Sequence, residues 1–324
     1  MDSISQAALG AAIGEVMLGK KLGNKAAFLG AIVATIPDLD VMLVPFYNNL
    51  ERISIHRGYS HSIVFTIIAA LGITFVLKRM QRLEGVSFQR IYCFSWLTLI
   101  THLLLDTFTS YGTQLFLPFS NYRASFDSIN IVDPLYTLPL LVGLFLSLYW
   151  FKNTPNRSKY TTWGLILSTA YLLGTLVVKE SVGLQIKQNL SAQSISYESF
   201  RTIPVAIGSV NWYGVAKSKD SLYLGKYSNW ERNKVNFEAF PINDTLLMGL
   251  DKELVSTLKW FAKEQYVVAK TGNKVRFYNL QSDMQGVQEV GNEKMPTACY
   301  FEITIKEESV YELKTAKHLK KGTN

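Results

Sequence analysis

Apolar runs parted by short polar loops fill the first half of the chain. Near residue 180 they give way to the shorter periods of a water-exposed fold. Residues 4–19, ISQAALGAAIGEVMLG, are small and apolar, interrupted only by Glu15. That run is short for a membrane span, which takes roughly 20 residues. AAFLGAIVATI follows from Ala26, breaks at Pro37, and resumes after IPDLD as VMLVPF. The next runs cover 63–77, 91–105, 134–151 and 161–178, and Trp150 and Trp163 fall near the ends of the last two, where aromatic belts form. The pattern predicts a multi-pass α-helical membrane domain over residues 1–179. Beyond it, SFRTIPVAIGSVNWYGVAKS and SLYLGKYS read as short strands around glycine-containing turns, and VRFYNL and CYFEITIK as further strands. DKELVSTLKWFAKEQ reads as an amphipathic helix with Leu254, Leu258 and Phe261 on one face. Residues 180–324 are therefore expected to form a soluble α+β domain, with KTAKHLKKGTN as a solvated end.

Charge sharpens this division. Residues 1–179 hold 14 Lys and Arg and nine Asp and Glu, against 19 and 16 in residues 180–324, so the mean hydropathy of +0.11 averages a lipid-like half and a water-like half. The net charge of +8 falls in short loops between apolar runs, which suggests orientation in a membrane and no nucleic-acid partner. If six segments alternate with both termini outside, the inner loops carry ten Lys and Arg. The outer loops then carry only Arg52, Arg57 and Arg123. By the positive-inside rule this places the site residues and the C-terminal domain outside the cytoplasm of a bacterial inner membrane. The two cysteines, Cys93 and Cys299, lie one in each half with no metal-ribbon spacing. No phosphate-binding loop, dinucleotide glycine fingerprint, serine-nucleophile elbow or HExxH is present.

The chemistry-bearing residues gather at the edges of the apolar runs. His102 and Asp106 share one face of a predicted helix, and they end a membrane segment, where ionisable groups are costly and functional by default. The plainer reading is a helix-end hydrogen bond. His56 and His61 flank RGYS, a turn that Gly58 would permit, and both are candidate metal ligands. The alternative is a polar loop in which Ser60 and Ser62 cap a helix. Arg57 is a candidate for an anionic substrate, or for lipid headgroups. Asp38 and Asp40 follow Pro37; two carboxylates at this spacing could bridge two ions, or one could ligate while the other orients it, and the plainer reading is a turn with solvated acids. Asp127 is a further candidate ligand, and Asp133 either a functional carboxylate or a helix cap before Pro134. Glu15 has no assigned partner, and His318 is isolated.

In order along the chain, MDSISQAALGAAIGEVMLG, IPDLD, HRGYSHS, THLLLDTFTSYGTQLFLPF and DSINIVDPLY resemble the YdjM-like bacterial membrane-bound metal-dependent hydrolases. The resemblance covers about residues 1–180, and the region around RTIPVAIGSVNWYGVAKSKDSLYLGKYS is similar to the soluble extension of many members. The family's helical domain is thought to be related to zinc-dependent phospholipase C and the zinc single-strand nucleases. The resemblance implies ligand roles for Asp38, His56 or His61, His102 and Asp106. Members usually carry a histidine near the N-terminus, where this chain has Ser5-Gln6-Ala7, and a glutamine is a poor zinc donor.

These readings together predict a membrane-bound hydrolase holding one to three divalent ions, zinc by preference, that acts on a phosphoester of a lipid or envelope component. The ions would make water acidic and stabilise a developing oxyanion, with Asp40 or Asp133 as general base and Arg57 at the substrate. Membrane lipids are the expected surroundings. The rivals are a membrane scaffold with a structural metal, and a transporter. The second fits less well, because the candidate ligands lie at one edge of the spans rather than at mid-membrane.

Overall fold

The computed structural model describes residues 1–205, 207–231, 234–281, 287–290, 293–307 and 310–317; His318 lies outside them. The chain divides into two compact units. One comprises residues 1–46 and 55–178, the other residues 47–54 and 179–324.

The first unit is helical. Helix α1 (Ser3–Leu22) starts where the Asp2 carboxylate accepts from the Ile4 and Ser5 N–H groups, and stops at Gly23, whose φ is +58°. It is buried on most of its circumference because two small-residue rows interlock. Gly10 and Gly14 lie against Ala26, Gly30 and Ala34 of α2 (Lys25–Thr35), so closely that a Cβ on Gly30 would come 2.0 Å from the Gly10 carbonyl oxygen. Glu15, fully buried, finds its partner here: Arg157 grips both of its oxygens at 2.7 Å. Pro37 cannot continue the α-ladder, and the chain turns into a 3₁₀ segment, Pro37–Phe46. After the short α3 (Arg52–Ile55) come α4 (Ile63–Lys78), capped by the Ser62 hydroxyl, and α5 (Phe88–Phe108), capped by that of Ser87. Helix α6 (Pro134–Phe145) has proline at its first position, then a π turn at Leu146–Trp150. Helix α7 (Ser158–Ala192) runs 35 residues, from the first unit into the second, and so passes the end at residue 178 expected from the apolar run.

Among the described residues, two helices, α5 and α7, are long and apolar enough to cross a membrane. The number rises to four if α2 with Pro37–Phe46, and Arg52–His61 with α4, each form one bent span. Helix α1 is not among them. A helix apolar on nearly all sides can instead be the buried centre of a bundle, which is its place here.

The second unit contains the sheets. Strands β1 (Ser199–Pro204), β2 (Asn211–Lys217), β3 (Ser221–Ser228) and β4 (Phe237–Pro241) form an antiparallel meander in the order β1-β2-β3-β4. Val182, Ile186 and Leu190, four residues apart on the C-terminal part of α7, pack with Trp212, Ala216 and Tyr227 to form its core. Helix α8 (Lys252–Phe261) buries Leu254, Leu258 and Phe261. Strands β5 (Tyr266–Thr271) and β6 (Lys274–Asn279), the short hairpin β7 (Gln288–Val290) and β8 (Glu293–Met295), and β9 (Cys299–Glu307) with β10 (Val310–Lys317) complete the unit. The second large sheet has the order β10-β9-β6-β5. Strand β10 corrects the expectation of a solvated end as far as Lys317: its alternating Tyr311, Leu313 and Thr315 pair with Ile305, Ile303 and Phe301 of β9.

Candidate metal centre

Four ligand-type side chains meet from three places in the sequence. Pro37 ends α2 and starts the 3₁₀ turn that carries Asp38. Ser62 caps α4 and so fixes His61 one residue before it. Helix α5 presents His102 and Asp106 four residues apart. One donor atom from each lies within 4.8 Å of every other. The two imidazole Nε2 atoms are 3.3 Å apart. Asp38 Oδ1 is 3.4 Å from His61 Nε2 and 3.5 Å from His102 Nε2; Asp106 Oδ2 is 3.5 and 3.8 Å from the same atoms. A tetrahedral ion with bonds of ~2.1 Å separates its ligand atoms by about 3.4 Å.

The surroundings fit an ion in that space. Asp106 Oδ2 is buried and makes no hydrogen bond; it faces both imidazole Nε2 atoms and has the Arg57 guanidinium 3.2 Å away as an ion-pair partner. The other oxygen, Oδ1, accepts from Gln6 Nε2 at 3.0 Å and from the Met1 amino group. Two imidazoles and two carboxylates, with no thiolate, suit zinc and other borderline divalent ions.

Asp40 stands one layer back. Residues two apart on a 3₁₀ turn point in different directions, so Asp38 meets the two imidazoles while Asp40 faces the HRGYSHS turn. It accepts from His56 Nδ1 at 3.0 Å, the Arg57 N–H at 3.1 Å and the Ser60 hydroxyl at 2.7 Å. Since Ser60 gives its one proton to Asp40, it accepts from His61 Nδ1 at 2.9 Å. That arrangement leaves the His61 Nε2 lone pair facing the cluster, as a carboxylate-backed metal histidine requires.

The remaining candidates are placed as follows. His56 is outside the four-donor group, half-exposed, with its ring centroid 6.0 Å from that of His61. Arg57 is buried, its guanidinium paired with Asp106 (3.2 Å) and donating to Thr109 Oγ1 (3.0 Å), which points it at the ligands and not outward to an anion. The left-handed residue of that turn is Arg57 (φ +61°), not Gly58, and this conformation lets one residue offer its N–H to Asp40 and its side chain to Asp106. Asp127 is buried and left-handed (φ +49°) but is not one of the four donors. Asp133 caps α6 through the Leu135 N–H and accepts from the Tyr171 hydroxyl at 2.7 Å, so it serves the helix end and is not brought to the cluster. Ser60 and Thr109 were not legible as site residues: short hydroxyls are common at helix ends.

Residues 1–182 match the sequence profile of the YdjM inner membrane proteins, more than half of the chain. The chain belongs to the YdjM inner membrane protein family. It is 25% identical over 231 residues to the uncharacterized protein YfhP of Bacillus subtilis (strain 168), an alignment covering 68% of this chain and 69% of that protein. It is 32% identical over 109 residues to the inner membrane protein YbcI of Escherichia coli (strain K12), covering 34% of this chain and 61% of that protein. No solved structure matches it with significance. The four donors, Asp40 and Gln6 all fall within the matched YdjM region, and the family with its apolar helices supports a membrane location.

Proposed function

We propose that this YdjM-family chain is a multi-pass membrane hydrolase in which Asp38, His61, His102 and Asp106 hold a zinc ion, and that it cleaves a phosphoester at the membrane. The observation that carries the reading is the convergence of two imidazole and two carboxylate donors, all within 4.8 Å of one another, with His61, His102 and Asp106 buried. Once bound, the ion supplies Lewis acidity, which lowers the pKa of a water toward neutrality and stabilises charge developing on the ester oxygens. The chain's own residues prepare the site. Asp40 and Ser60 fix the His61 tautomer, Gln6 and Arg57 hold Asp106, and the Asp40–His56 pair is the group placed to hold or move a proton. The charge bias of the loops supports a site and a sheet domain outside the cytoplasm.

A structural metal in a membrane scaffold is the second reading, because four protein donors complete a tetrahedron, as structural zinc sites do. What favours chemistry is the Asp38 corner, whose side chain keeps 29% of its surface exposed while the other three are sealed. Purified in detergent without chelator, the wild type should hold at least one zinc per chain by elemental analysis. It should also hydrolyse bis(p-nitrophenyl) phosphate, and His102→Ala with Asp106→Ala should remove the metal and the activity. Equal metal in wild type and double variant refutes the site. Metal without hydrolysis selects the scaffold.

A further inference from the structure

The metal group opens in one direction. His61 is sealed, His102 and Asp106 are 1% exposed, and Asp38 alone reaches the outside, so the mouth lies on the 3₁₀ segment Pro37–Phe46. On such a helix side chains three apart eclipse one another, which stands Val41 beside Asp38, with Leu39 and Met42 in the adjoining row. Leu39 and Val41 are each 53% exposed, Met42 70% and Phe46 84%. The only charged residues of the segment are Asp38 and Asp40, and Asp40 is turned inward to His56 and Ser60. The border of the mouth on this segment is therefore hydrocarbon, a surface that marks a lipid or partner contact.

Depth agrees. At ~1.5 Å per helical residue, His102 and Asp106 lie roughly 21 and 27 Å along α5 from Phe88; with Phe88 at one face of a hydrocarbon core of about 30 Å, they fall toward the opposite face, at the level of the ester groups. Helix α2 together with Pro37–Phe46 has the length and composition of a bent span or a re-entrant loop. We infer that the mouth beside Asp38 opens into the bilayer, and that the substrate is a membrane-resident phospholipid. It arrives laterally, its headgroup ester at Asp38 and its acyl chain along Val41, Met42 and Phe46. The identity of the substrate rests on the hydrolase reading; the position of the mouth rests on geometry alone.

Two measurements on the full chain in phospholipid nanodiscs test this separately. In a Cys93→Ser, Cys299→Ser background, Met42→Cys carries an environment-sensitive fluorophore. Phospholipids with a nitroxide on the acyl chain should quench it several-fold more than aqueous iodide, while the same label at Gln81→Cys shows the reverse. Preferential iodide quenching at position 42 overturns the placement of the mouth. In the second measurement, Met42→Asp and the milder Met42→Ser are compared with wild type on a fluorogenic phospholipid and on water-soluble bis(p-nitrophenyl) phosphate. The ratio of lipid to soluble-ester hydrolysis should fall at least tenfold for Met42→Asp and in the same direction for Met42→Ser, with zinc retained. An unchanged ratio, or a wild type that cleaves only the soluble ester, overturns lateral entry. A wild type that cleaves neither ester refutes the hydrolase reading, and the quenching result then stands or falls by itself.

Discussion

Removal of the Ser60 hydroxyl tests the centre through a residue that touches no ion. Ser60→Ala deletes the 2.7 Å bond to Asp40 Oδ2 and the 2.9 Å contact to His61 Nδ1. Asp40 Oδ2 still lies 3.2 Å from the same ring nitrogen, so the imidazole keeps one orienting partner. Loss of a residue behind a metal ligand typically costs about 10–100-fold in affinity. Ser60→Ala should fall near the lower end, ~10-fold or about 1.4 kcal/mol. Asp40→Ala should reach the upper end, ~100-fold, because it also strands the Arg57 N–H and His56 Nδ1. The assay is zinc competition against a chelating dye in nanodiscs, with Ser54→Ala, whose hydroxyl bonds the Glu51 carbonyl, as the control. If Ser60→Ala and Asp40→Ala both bind zinc within twofold of wild type, His61 is not held by this pair and the four-donor assignment fails.

Gln6→His should raise zinc occupancy or affinity, since Gln6 already reaches the Asp106 carboxylate; Gln81→His should change nothing, and metal titration decides. Arg157→Ala leaves the buried Glu15 carboxylate unpaired and should cost about 3–5 kcal/mol, while the apolar pair Glu15→Leu with Arg157→Leu should recover most of it in thermal unfolding. Gly30→Val forces a side chain into the Gly10 carbonyl and should abolish accumulation of folded protein, whereas Gly72→Ala, which meets nothing within 4 Å, should be tolerated; fluorescence-detected gel filtration separates the two. Cysteines at 85 and 155 should label only after the cell is opened, and those at 50, 120 and 250 from outside. Exclusion of label from 250 in intact cells inverts the orientation.

The sequence carried the candidate ligands in outline because ionisable residues stand out against apolar runs. His102 and Asp106 were legible as a pair from helical spacing alone, and the structure adds what they meet. Local spacing could not rank His56 against His61, because their separation depends on the dihedrals of the turn: the left-handed step falls at Arg57, a residue type that gives no such signal. Asp133 before Pro134 fits a helix cap and a catalytic carboxylate equally in one dimension, and Tyr171, 38 residues away, completes the cap. In the second unit, the spacing of Leu254, Leu258 and Phe261 announced α8. Strand β10 was hidden because Glu312 and Lys314 interrupt its apolar positions, and charged residues are common on edge strands.

Helix α1 explains why the centre is more than a sum of motifs. Its glycine row fixes its distance from α2, and that contact sets where Gln6 falls. Nine residues on, roughly 14 Å along the axis, Glu15 locks the same helix to Arg157. One rigid element is thus pinned near one end by an ion pair and presents an amide to a metal-type carboxylate near the other. The amide holds Asp106 Oδ1, which leaves Oδ2 as the oxygen facing both imidazoles. A glutamine where the family resemblance implies histidine therefore keeps the orienting contact while withdrawing a donor from the cluster. With Gln6 so engaged, the set that remains is the one seen, two imidazoles and two carboxylates at the spacing of a single ion. The chain is accordingly expected to load one zinc where a relative with histidine at this position loads more.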